Sequence, residues 1–138
     1  MVTTLAELED ESYDVAISNS ALEHVDFPLE SLQQIFKKLK PGGLAVFVVP
    51  CESRAYAWAS NDINFHLYSW SPMCIGNLFT RAGFEVIESK PLMHLWLPKA
   101  RIAQKILGWT LFNAGSRLRA LIDTRLSPIR CVARKPAA

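Results

Sequence analysis

SLQQIFKKLKPGGLAVFVV, residues 31–49, holds two hydrophobic patterns separated by one break. Leu32, Ile35, Phe36 and Leu39 recur at three- and four-residue steps, so a helix buries them along one stripe. Pro28 suits its first turn, where a missing N–H costs nothing. Lys37, Lys38 and Lys40 crowd its end, where the helix dipole favours cations. Pro41, Gly42 and Gly43 then stop it. Residues 44–49 are almost purely apolar and valine-rich, the composition of a strand covered on both faces, as in a parallel sheet. Upstream, residues 13–18 form another short apolar run, read as a buried strand. Strand, helix and strand in so short a span make a βαβ unit, whose crossover is right-handed.

Farther out the signals alternate. Residues 1–11 end in acids and read as a surface turn or a frayed helix. Residues 51–67 mix polar and aromatic side chains without periodicity. Ser69 or Ser71 can cap a following helix, with Pro72 near its start and Met73, Ile75, Leu78 and Phe79 on its apolar face. Ala82-Gly83-Phe84 ends it, and residues 85–89 alternate as an edge or half-exposed strand. Residues 92–126 read as a long, mainly helical insertion, and residues 129–133 as a last short strand.

The 138 residues predict one domain with a core that needs no staples. Half are hydrophobic and a fifth charged, a globular and not a disordered composition. A net charge of +2 implies no nucleic-acid footprint. Cys51, Cys74 and Cys131 lack zinc or disulfide spacing, which suits a reduced, cytoplasmic setting. No signal-peptide pattern opens the sequence, and no apolar run is long enough to span a bilayer.

Tyr13-Asp14-Val15, Glu23-His24-Val25, Leu39-Lys40-Pro41-Gly42-Gly43, Val49-Pro50 and Ala82-Gly83-Phe84 follow in order, with Cys131 to Pro136 at the end. This ordered set resembles the second half of the Rossmann-like, class I S-adenosylmethionine-dependent methyltransferases. The resemblance implies an α/β fold with about four strands, flanking helices and a helical insertion before the last strand. The strands should order first, second, last, third, with the last antiparallel. No GxGxG occurs in the sequence. By the resemblance the chain begins just before the family's fourth strand, as a truncated domain whose S-adenosylmethionine site is incomplete.

The resemblance also assigns residues. Ser18, Asn19, Ser20 and Ala21 match positions along the methionine part of the cofactor. Glu23 and His24 match positions facing the reaction cleft, Glu23 on the substrate side and His24 with a catalytic role. Tyr56, Trp58, Asn64 and Tyr68 would shape an acceptor pocket. His66 is the candidate base, because imidazole titrates near neutrality. Some quinone-biosynthesis relatives hold a divalent metal with Glu-x-x-Glu-His; here Ser20 occupies the first position, so no metal site is expected. The alternative readings are a strand end with a helix cap at residues 18–20, a solvated helical turn at Glu23-His24, and a loop histidine that only packs. The reaction implied is methyl transfer to a small-molecule or lipid-like acceptor. The rivals are a non-catalytic half-domain acting as an oligomerisation scaffold, and a peripheral membrane protein.

Two further expectations concern surfaces. Residues 92–126 carry Lys99, Arg101, Lys105, Arg117, Arg119 and Arg125 against one acid, Asp123. Such a basic amphipathic segment can lie on an anionic membrane or cap a lipid-like acceptor; alternatively its apolar face packs on the sheet or on another subunit. If the first half is absent, the strand at residues 13–18 becomes an apolar edge, and a homodimer or larger oligomer could cover it through Val15 and Ile17.

Overall fold

The computed structural model describes residues 4–52, 57–92, 94–122 and 128–137. A single 3₁₀ turn, Leu5–Glu7, leads into strand β1, Tyr13–Asn19, and a second, Leu22–His24, follows it. Helix α1 is Pro28–Lys38, β2 is Leu39–Val49, α2 is Pro72–Arg81, β3 is Glu85–Pro91, α3 is Ala100–Ile122 and β4 is Ile129–Arg134. The four strands order β1-β2-β4-β3. β1 and β2 are parallel, and β4 runs antiparallel to both its neighbours. The expected strand order and the antiparallel last strand are both present.

The Pro-Gly-Gly break sits inside β2 and not before it. Tyr13 pairs with Leu39 but Val15 already pairs with Leu44, so residues 40–43 bulge out of the ladder. Their backbone is satisfied from the far end of the chain: Gly42 N–H donates to the Lys135 carbonyl at 2.9 Å, and Lys135 N–H to that of Gly43 at 2.8 Å. Gly43 is required by space, since a Cβ there would lie 2.9 Å from the Lys40 carbonyl oxygen. The buried Lys135 ammonium donates to the Leu39 carbonyl at 2.8 Å and to Glu11 Oε1 at 3.0 Å.

Residues 44–49 are covered on one face only, a correction to the two-sided burial expected. Ala45, Phe47 and Val49 are buried with Ile129, Cys131 and Ala133, their partners across the ladder, under Leu32 of α1 and Ile75 and Phe79 of α2. Leu44, Val46 and Val48 on the opposite face are only half-buried. β1 is likewise not a buried strand: it has one neighbour, and Val15 and Ile17 are exposed. The edge-to-face pair Phe47–Phe79 ties α2 to the sheet, and Phe36–Phe84 ties α1 to the residue before β3, with ring centroids 5.2 and 5.0 Å apart. Burial pushes the Cys131 thiol up to about 11, against the lowering effect of the Ser89 hydroxyl, so it remains a neutral core group.

Ser71, not Ser69, caps α2, its hydroxyl accepting from Cys74 N–H at 3.1 Å. The segment at residues 92–126 is helical over α3; residues 94–99 lead into it without helix or strand, with a turn at 98–99, and residues 93 and 123–127 lie outside those described.

Candidate functional site

β1 and β2 run in parallel, so their carboxyl ends open on the same side of the sheet. Asn19 pairs with Val48 there, and Ser20 N–H donates to the Val48 carbonyl at 2.9 Å. Ser20 then adopts a left-handed conformation, φ 49°, which turns the chain out of the sheet into the Leu22–His24 turn. Across the gap, β2 ends at Val49 and Pro50 leads to Glu52. The loop at residues 66–70 closes over both ends. Leu67 and Tyr68 N–H groups donate to the Glu23 carbonyl at 2.9 and 3.3 Å, and Trp70 N–H to that of Pro50 at 3.0 Å.

This closure gathers four titratable side chains. His66 Nδ1 and Glu52 Oε1 are 2.5 Å apart, with both side chains about four-fifths buried (18% and 21% exposed). A carboxylate accepts only, so Nδ1 carries the proton and Nε2 is left as the basic nitrogen. The His24 and His66 rings meet edge to face, centroids 5.0 Å apart. Glu23 is completely buried, and neither carboxylate oxygen has a hydrogen-bond partner among the described residues. His24 Nε2 stands 3.9 Å from Glu23 Oε1, an electrostatic contact without a hydrogen bond. A buried carboxylate without a hydrogen bond is costly, so this position suits a cation or a polar ligand. One ligand atom each from Glu23, His24 and His66 lies within 4.8 Å of the others, a spacing that allows one cation to be shared.

The other sequence candidates divide. Ser18 is half-buried while Asn19, Ser20 and Ala21 are exposed at the strand end, as a ligand-lining stretch requires. Their exposure leaves this strand end open to a ligand. Glu23 does not form a solvated helical turn; residues 66–68 bury it. Tyr68 lies at the rim, its hydroxyl donating to the Asp26 carbonyl at 3.0 Å and its ring stacked on Trp70. Trp58 is 89% exposed and Asn64 is held in a local turn with Asp62, so neither joins the cluster. Tyr56 lies outside the described residues. Glu52 escaped the sequence reading. Its only signal was its place three residues beyond a parallel strand, at the end where ligands collect.

A methyltransferase-domain family profile matches residues 3–89, more than half of the chain. No curated protein sequence matches it. Among solved structures, the [4+2]-cyclase SpnF covers all of this chain at 18% identity and a TM-score of 0.63. Haemonchus contortus phosphoethanolamine N-methyltransferase 2, solved in complex with S-adenosyl-L-methionine, covers 94% at 17% identity and 0.63. An S-adenosylmethionine-dependent methyltransferase from Mesorhizobium loti covers 96% at 17% identity and 0.61. This chain spans 57%, 35% and 67% of their respective lengths. That a cyclase shares the fold shows that fold alone does not choose the reaction. The profile, the strand order expected of such enzymes and the likeness over nearly the whole chain agree, and the chain belongs to the methyltransferase-domain family.

Proposed function

We propose that this chain supplies the acceptor side, and the methionine edge of the cofactor side, of an S-adenosylmethionine-dependent methyltransferase acting on a small-molecule or lipid-like acceptor. The observation that carries the reading is the gathering of Ser18–Ala21, His24, Glu52 and His66 at the carboxyl ends of two parallel strands, where ligands settle in open α/β sheets. The cofactor supplies a methyl group on a sulfonium, which is itself a good leaving group, so the protein mainly has to align the acceptor. His66, its tautomer set by Glu52, accepts the proton from the acceptor oxygen or nitrogen. His24 lines the same cleft.

Calorimetric titration of S-adenosylhomocysteine into the chain tests this. Binding in about the micromolar range is expected. Ala21→Leu, at an exposed position outside the core, should weaken it about tenfold or more. No heat at millimolar ligand overturns the cofactor assignment.

The exposed β1 edge favours a second, compatible reading. Val15 is 47% and Ile17 78% exposed, and an apolar groove of about 350 Å³ runs along this strand to Leu22. We propose that a second copy pairs here, β1 against β1 about a two-fold axis. Light scattering should give a dimer mass that Ile17→Lys reduces to a monomer; a wild-type monomer at micromolar concentration refutes the pairing.

A further inference from the structure

We propose that α3 is an in-plane docking element for an anionic bilayer surface. Gly108, with φ 70° and ψ 170°, breaks the helix into two arms. The second arm buries Phe112, Ser116 and Ala120, residues one helical face apart by four. None belongs to the main core cluster. The contacts on this side are made by the preceding segment: Leu95 N–H donates to the Ser116 carbonyl at 3.1 Å, His94 Nε2 lies 3.2 Å from Asn113 Oδ1, and Arg119 donates to the Trp96 carbonyl. The opposite side of the same arm is apolar as well, with Leu111, Leu118 and Ile122 at least 59% exposed. On the first arm Ile102 and Ile106, four residues apart, are 56% and 77% exposed. A helix whose second apolar face meets water expects a cover.

Charge identifies the cover. Residues 92–122 contain Lys99, Arg101, Lys105, Arg117 and Arg119 and no aspartate or glutamate. Arg101 and Lys105 immediately precede Ile102 and Ile106, and Arg117 precedes Leu118, each about 100° around the helix from its apolar neighbour. Cations thus border each apolar stripe instead of collecting at one end. The core of a protein interface is depleted of charge; a headgroup layer presents anions beside acyl chains along its whole plane. Trp96 and Trp109, 69% and 65% exposed, are the side chains that settle at headgroup depth. No described helix is long and apolar enough to cross a membrane, so α3 would lie in the plane.

The test is sedimentation of the full chain with vesicles of phosphatidylserine and phosphatidylcholine, against phosphatidylcholine alone. The expected result is binding to the anionic vesicles only, weakened by added salt, with a blue shift in tryptophan emission. Each basic residue near such a surface strengthens binding roughly fivefold, so Arg101→Gln with Lys105→Gln should weaken it roughly 25-fold. Ile106→Ser should weaken it further. All three positions are solvent-exposed, so circular dichroism should stay unchanged. Absence of binding, or binding that the variants leave intact, overturns the proposal. So does self-association that Ile106→Ser abolishes in a chain that ignores vesicles, which would make the face a contact between copies. The cofactor titration does not involve α3, so either proposal can fail alone.

Discussion

Replacing His66 with alanine should lower methyl transfer by about 10²–10⁴-fold, the usual contribution of a positioned general base. His66 is singled out by geometry: its Nδ1 is tied to Glu52 Oε1 at 2.5 Å, its ring abuts His24, and its side chain is mostly buried at the mouth of the parallel strands. Glu52→Gln keeps the shape but can donate its amide to Nδ1, which favours the wrong tautomer. Glu52 is therefore a positioning residue, and its loss should cost less, about 10–100-fold, as for other carboxylates that orient histidines. The discriminating readout is the split between rate and cofactor affinity: methyl transfer should collapse in His66→Ala while cofactor binding holds. S-adenosylhomocysteine affinity should stay the same in both variants, since neither residue lies in the Ser18–Ala21 stretch. A His66→Ala enzyme with the wild-type rate would reduce the histidine to a packing group.

Phe47→Ala should destabilise the fold by about 3–5 kcal/mol, the range for removing a buried aromatic ring. Phe47 is 2% exposed, lies beside Cys131 and Ser18 across the two ladders, and meets the Phe79 ring edge to face. The cavity would open between the sheet and α2, where both backbones are held by their own hydrogen bonds and collapse poorly. With a total stability of order 5–15 kcal/mol, the melting temperature should fall by roughly 10–15 °C. Val48→Ala, one residue on, should cost about 1 kcal/mol or less, because its side chain faces the less covered side. Thermal melts of the two variants measure this asymmetry directly. Equal losses would mean that the second face of the sheet is covered in solution.

The existence and type of nearly every element were legible in the sequence. The 3.6-residue stripe through Leu32, Ile35 and Phe36, the serine before Pro72 and the valine-rich run after Gly43 are local signals, and local geometry obeys them. The sheet order was legible only through the resemblance, because pairing partners such as Val49 and Ile129 are remote in the chain.

The candidate site was half legible. A strand ending in Ser18, Asn19 and Ser20 before Glu23-His24 marks the end of the sheet where ligands collect. Only the tertiary structure decided which side of β2 the helices cover, that the Glu23 carboxylate is buried with no hydrogen-bond partner among the described residues, and that Glu52 meets His66. Hydrophobic period reports how often a side chain returns to a face, whatever element comes to lie on it. Glu52 and His66 are 14 residues apart on a stretch without periodicity, and their contact exists only because the loop closes over the ends of two parallel strands.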